Sequence, residues 1–388
     1  MAKDDFTPLS VPVIDGNAWT YVKDCLDSGW VSSVGGYVIR FEEAFARRQQ
    51  APGAVAMVNG TSALHLALSA AGVGPDDEVL VSDMTFIAPA NAVRYLGAFP
   101  VFMDAEPRYW QMDVDKVRDF LAGQRRLADG SLRNRDTGRR IAAVVPVHAL
   151  GHPVDMDPLM ELAREYGLAV VEDASESLGA TYRGAPLGSS GDLACYSFNG
   201  NKIITCGGGG MATARDPRLA DRMRYLSTQA KDDPVEFRHG EVGYNYRLTN
   251  LQAALGLSQL EGLDWRLGEK RRIADRYAKG LADVPGLTLM AEAPWAQSAF
   301  WMYTVLLDEA AYGESSRQAL ARLHGLGIQT RPLWEPLHAS RAHQGSQSFH
   351  CDTATRLYRD GLSLPATPGL DPAAQDRVIA ALRRPLSL

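Results

Sequence analysis

The chain has 388 residues, 46% hydrophobic and 22% charged, with 36 glycines and 21 prolines, a balance that excludes intrinsic disorder, collagen and a small disulfide scaffold. Its net charge of −6 comes from interspersed acidic and basic residues, which argues against nucleic acid as a partner and leaves acidic ligands to local donors. No apolar run reaches the roughly 18 residues of a membrane helix, so a cytoplasmic protein that meets no membrane is expected; Cys25, Cys195, Cys206 and Cys351 form no C-x-x-C pair, as reduced packing thiols would, and no metal is expected.

From Ala54 onward, short apolar runs alternate with helical patterns. AVAMV precedes a helix from Thr61, EVLVS precedes a helix near Ala88, and PVFMD, IAAVVPVH and LAVVED follow as further strands. Strands separated by helices predict βαβ units, hence an α/β fold with a mostly parallel sheet. The polar, basic interval 122–140 reads as a surface excursion, and 155–167 as a helix with Asp155 near its cap and Gly167 at its end. A helix at 248–262 is followed by a charged helical stretch from Asp264 to Leu281, the run WMYTVLLD, a helix near 315–325 and a last helix at 371–384. That change of material places a large α/β domain with an N-terminal arm at 1–262 and a smaller C-terminal α+β domain at 263–388.

Three segments carry chemistry-bearing residues. Asn59-Gly60-Thr61-Ser62-Ala63 joins a strand to a helix, where glycine admits a ligand to the backbone and helix-start N–H groups favour phosphate; taken alone it reads more readily as a capped βα turn. Glu172 and Asp173 end an apolar strand, the edge at which open α/β sheets bind ligands, although an acidic strand end can also cap the next helix. Lys202 follows Ser197-Phe198-Asn199-Gly200-Asn201 just beyond a strand, with Thr205 and glycines 207–210 behind it; most lysines are solvated charges, but one so placed can form a Schiff base. The glycine run does not suit a dinucleotide, because TCGGGGMATA leads into a strand and not a helix. Together the segments supply what pyridoxal phosphate needs: a phosphate cradle, a carboxylate for the pyridine nitrogen and a Schiff-base lysine. His148 and His152 have no third ligand evident and read as hydrogen-bonded structural histidines.

The ordered motifs NGTSALHLAL, TFIAPANAV, VEDASESLGA, SFNGNKIITCGGGGM and GYNYRLTNLQAALG resemble those of the DegT/DnrJ/EryC1/StrS sugar aminotransferases, and the resemblance runs from Pro8 to about Leu370. It implies the fold-type-I pyridoxal-phosphate aminotransferase architecture and a homodimer with shared active sites. It further implies that Lys202 forms the Schiff base, that Asp173 pairs with the pyridine nitrogen, that Gly60, Thr61 and Ser197 hold the phosphate, and that Phe86 stacks on the ring. Glu176, at a position often glutamine or histidine in the family, is expected near the ring hydroxyl, and Asn245 at the partner subunit's phosphate. Arg247 is expected either to bind substrate or to make a salt bridge at a helix start. Trp30 and His338 are expected either at the sugar site or in interface packing.

Where many family members carry glutamate in the glycine run, this chain has Gly208, a form that, with TQAKDDP at 228–234 and GWVSSVG, resembles the branch acting on UDP-linked 4-keto sugars. The implied reaction carries an amino group from L-glutamate to the 4-keto carbon of UDP-2-acetamido-2,6-dideoxy-hexos-4-ulose, with pyridoxamine phosphate between two ping-pong halves. A dTDP- or GDP-linked sugar is the alternative. Outside this class stand a nicotinamide oxidoreductase and a noncatalytic regulator on the same scaffold; a pyridoxamine-dependent dehydratase is disfavoured because that branch has histidine where Lys202 stands.

Overall fold

The computed structural model describes residues 6–233 and 235–385, so Pro234 of the TQAKDDP stretch and the first five residues of the expected arm lie outside it. Among the described residues eight strands form the main sheet, in the order Ala54–Met57, Gly210–Ala214, Leu193–Ser197, Ala169–Asp173, Ile141–Val145, Glu78–Ser82, Phe99–Met103 and Ser348–Phe349. Only Gly210–Ala214 runs antiparallel to its neighbours; every other adjacent pair is parallel.

The apolar runs are uninterrupted because both faces of the sheet are covered. Successive side chains alternate between faces. Val79 and Val81 join Leu64, Leu68 and Met223 in one buried cluster, while Leu80 joins Phe41, Phe45, Phe120 and Leu159 in another. Two helices lie ahead of the first expected strand, Ala18–Ser28 and Gly36–Gln49, and both pack on Asn250–Glu261. Asn250 ties them down, accepting the Tyr37 amide (2.9 Å) and donating to the Trp30 carbonyl (2.7 Å). The contact is so close that a Cβ on Gly35 would fall 2.3 Å from Asn250 Cγ.

The interval 122–140 contains a short hairpin, Arg125–Arg126 with Leu132–Arg133, and its far end is bolted to the sheet: Thr137 donates to Glu78 (2.7 Å) and Arg140 to Asp77 (2.8 Å). Helix Met156–Tyr166 ends at Gly167 in the left-handed region (φ 69°). Asp155 stands at its cap position, but its carboxylate accepts the Tyr182 hydroxyl (2.6 Å) and caps nothing.

A second, antiparallel sheet orders Leu287–Leu289, Tyr303–Leu307, Gly361–Leu364 and Arg331–Pro332. Helices Leu263–Leu281, Ser316–Gly325 and Pro372–Leu382 close over it around Tyr277, Val305, Leu323 and Val378. The chain also leaves this sheet, since Ser348–Phe349 pairs with Phe99–Met103 of the main one.

Lys270, 2% exposed within helix Leu263–Leu281, donates to the carbonyls of Trp301 (2.7 Å) and Ala366 (2.5 Å). Both acceptors are neutral, and burial lowers the Lys270 pKa to about 7. An unfolded lysine titrates near 10.4, so between these values the unfolded chain holds the extra proton and stability rises with pH. The unfolding free energy of the wild-type chain, measured by denaturant titration from about pH 7 to about pH 9, should gain on that of Lys270→Met by up to about 1.4 kcal/mol per pH unit; a constant difference between the two chains would refute this account of Lys270.

Candidate active site

A cavity of about 450 Å³ opens beyond the carboxyl ends of the parallel strands, where ligands of such sheets bind. Asp173 ends its strand facing this cavity and is 4% exposed, with the Ser175 amide donating to Oδ1 (3.0 Å). Burial raises its pKa, opposed by the Ser175 hydrogen bonds and the charge of Lys202. Its neighbour Glu172 takes the other side of the pleat and accepts the amides of Gly188, Ser190 and Gly191 and His148 Nε2 (2.9 Å). The two carboxylates that end the strand in sequence thus part company in space, one to the cavity and one to a loop.

His148 Nδ1 accepts the Val154 amide (3.0 Å), which assigns its proton to Nε2 and the donated bond to Glu172. His152 bonds the Pro153 carbonyl through Nδ1 (2.8 Å) and accepts the Ala293 amide at Nε2 (3.0 Å). Both histidines are structural.

Lys202 reaches the cavity from the loop after strand Leu193–Ser197, its Nζ 3.3 Å from Glu176 Oε1 and 4.2 Å from the centroid of the Trp301 ring. Glu176 is held by the Leu150 amide, which donates to Oε2 (2.9 Å). Trp301 is held by its own indole N–H on the Asn201 carbonyl (2.7 Å). Opposite them, Asn59 caps helix Gly60–Ala70 by accepting the Ser62 amide (2.7 Å), and Gly60 and Thr61 open the helix onto the cavity beside Ser197. A Cβ on Gly60 would lie 2.9 Å from Ser197 Cβ, so only glycine lets the helix start approach that closely. Gly207 and Gly209 adopt φ of 77° and 139°, and Gly210 enters its strand directly, which removes the helix a dinucleotide motif requires.

Phe86, 56% exposed, lines the cavity together with Trp301 and Trp334, whose ring planes are parallel within 4°. The two tryptophans were not singled out from sequence. Trp301 begins an apolar run and reads as core, while Trp334, in RPLWEPLH, has no periodic context; only the fold carries them to Lys202.

Four expected residues lie outside this cavity. Arg247 donates to Glu42 Oε1 (2.6 Å) and the Ala56 carbonyl (3.1 Å), the contact of the salt-bridge alternative. Trp30 is 59% exposed on the segment bound by Asn250. His338 is turned to Asp83, 2.6 Å from Nδ1 to Oδ2, and that hydrogen bond raises its pKa. Asn245 is exposed, its backbone bridged to Thr228. Asp83, His338 and Cys351 bring ligand-type atoms within 4.8 Å of one another, but His338 occupies both Asp83 oxygens and burial keeps the Cys351 thiol protonated.

The cavity fits pyridoxal phosphate: helix-start amides and Ser197 for the phosphate, a buried carboxylate in need of a cation for the ring nitrogen, Lys202 for the aldehyde, and aromatic faces for the ring.

The profile of the DegT/DnrJ/EryC1/StrS aminotransferase family matches residues 12–383. GDP-perosamine synthase of Caulobacter vibrioides is 43% identical over 375 residues, 96% of each chain. The crystal structure of S. venezuelae DesV in complex with ketimine intermediate superposes with a TM-score of 0.85 at 33% identity, covering 97% of this chain and 98% of that one. Spr1654 of Streptococcus pneumoniae, solved in PMP and PLP forms, superposes with TM-scores of 0.87 and 0.86 at 25% identity, over 97% of this chain and 97% and 98% of those. The chain therefore belongs to the DegT/DnrJ/EryC1/StrS aminotransferase family, as a sugar aminotransferase of fold type I with pyridoxal phosphate as its cofactor.

Proposed function

We propose that the chain transfers the amino group of L-glutamate to the 4-keto carbon of a GDP-linked 6-deoxy sugar, and that it acts as a cytoplasmic homodimer with shared active sites. The nucleotide rests on one observation, the 43% identity to a GDP-perosamine synthase that runs across 96% of both chains. A UDP-linked sugar is the second reading, favoured by Gly208, which lines the cavity without a side chain where many relatives carry glutamate. Subunit pairing is supported by Trp30, Val34 and Ile39, which are 59–67% exposed, more apolar surface than a lone chain gains by showing. Asn245, exposed and away from its own cavity, then reaches the partner's phosphate site.

Bound pyridoxal phosphate supplies a carbonyl that takes up an amine and a ring that accepts an electron pair. The chain's residues do the rest. Gly60, Thr61 and Ser197 bind the phosphate with amides and hydroxyls that need no reorganisation. Asp173 holds a proton on the ring nitrogen; burial alone pushes this carboxylate toward its neutral form, and the cationic ring restores its charge. Phe86 covers a ring face. Lys202 Nζ would hold the cofactor at its carbonyl carbon, and as a free amine it would take the proton from the donor's α-carbon and deliver it to that carbonyl carbon. The same amine reverses these transfers when the keto sugar enters, so donor and acceptor alternate in one site.

Lys202→Ala should abolish turnover with an unchanged circular dichroism spectrum, and a fully active variant would refute the proposal. Asp173→Asn should lower kcat on the order of 10²-fold, about 2.7 kcal/mol, because the amide cannot hold the ring proton by charge. Gly60→Val should weaken cofactor binding at least about tenfold in a fluorescence titration, since its added carbons enter the space of Ser197. For the substrate, the enzyme is first converted by L-glutamate, freed of donor and then given GDP-, UDP- and dTDP-linked 4-keto-6-deoxy sugars separately. Return of the starting absorbance with the GDP sugar supports the proposal, return with the UDP sugar alone selects the second reading, and no conversion by L-glutamate overturns the donor.

A further inference from the structure

Glu176 brings a second carboxylate into a cavity that already holds Asp173. The structure shows what it contacts. Lys202 Nζ lies 3.3 Å from Oε1 and over the Trp301 ring, 4.2 Å from its centroid. Neither partner is free to drift. Glu176 Oε2 accepts the Leu150 amide at 2.9 Å, and Leu150 aims that amide from a left-handed backbone (φ 60°), a strained conformation for a branched side chain. Gly151 follows at φ 93°, so close beneath the chain that a Cβ there would lie 2.8 Å from the Trp301 backbone nitrogen. Trp301 is pinned through its indole on the carbonyl of Asn201, the residue next to Lys202. A turn with two consecutive left-handed residues thus supports both the carboxylate and the ring.

We propose that Glu176 and Trp301 form a docking post for the free amine of Lys202, receiving its ammonium whenever the lysine is not bonded to the cofactor. The inference rests on the reading of Lys202 as the cofactor-binding lysine. In each catalytic cycle that amine is released and must be recovered, and in a buried cavity a released ammonium needs a counterion close at hand. The carboxylate supplies charge, the indole face supplies a second attraction, and together they keep the amine on the side from which it must return. Glu176 and Trp301 are positioning residues in this scheme; the contact is noncovalent and consumes nothing. The charged groups acting on the amine are Glu176 and, farther away, Asp173.

The test uses the full chain freed of cofactor. Competitive acetylation at one fixed pH, read by mass spectrometry on the Lys202 peptide, gives the reactivity of that amine relative to the exposed lysines. In Glu176→Gln the amine, no longer held by the carboxylate, should be acetylated severalfold faster. Trp301→Leu should raise the rate by less, and Glu176→Asp should retain part of the wild-type protection. Thermal midpoints of the variants show that they are folded. Borohydride reduction of the loaded wild-type chain, followed by the same peptide analysis, locates the covalent attachment separately. Attachment at Lys202 with an unchanged acetylation rate in Glu176→Gln overturns the docking post alone, while attachment elsewhere overturns both it and the functional reading beneath it.

Discussion

Two buried carboxylates face one amine. The ionisable side chains lining the cavity are Asp173, Glu176 and Lys202, and burial raises the pKa of both acids while the charge of Lys202 opposes that rise. With all three ionised the cavity carries one negative charge in excess, a costly state in a low-dielectric site. A ligand with a cationic ring nitrogen and a separate phosphate, held apart on the amides of the helix start, satisfies both ends at once. That charge pattern, more than the shape of the cavity, makes the chemistry of the site specific.

The sheet exists to hold this pattern still. Parallel strands bring the ends of Ala54–Met57, Ala169–Asp173 and Leu193–Ser197 to one edge, and the segments after them carry Gly60, Asp173 and Lys202. The pleat then sorts neighbouring residues by face: Asp173 enters the cavity, and Glu172 is consumed by three loop amides and His148. The wall opposite the main sheet comes from later in the chain. Trp301 precedes strand Tyr303–Leu307 of the second sheet, and Lys270 holds its carbonyl from helix Leu263–Leu281, so packing far from the reacting atoms sets the position of the ring over Lys202.

What the sequence disclosed follows from how local each signal is. The strands from Ala54 to Asp173 were legible because buried parallel strands are short unbroken apolar runs between turn residues, and Gly60, Asp173, Ser197 and Lys202 because each sits in a compact motif at a strand end. Helices Ala18–Ser28 and Gly36–Gln49 were missed; both start without a side-chain cap, and a tertiary anchor, Asn250, fixes their packing. Strand Ser348–Phe349 has two residues and no pattern to detect. Trp301 and Trp334 could not be read as site residues because their neighbours in space are distant in sequence. Arg247 shows the converse: a conspicuous motif residue that the fold turns away to a buried glutamate.

The most direct test of the charge-balance account is a crystal structure of the chain loaded with pyridoxal phosphate. The account requires the ring nitrogen within hydrogen-bonding distance of the Asp173 carboxylate, the phosphate on the Gly60 and Thr61 amides beside Ser197, and continuous density from the cofactor to Lys202. A cofactor whose ring nitrogen faces away from Asp173, or whose phosphate lies off that helix start, would contradict it.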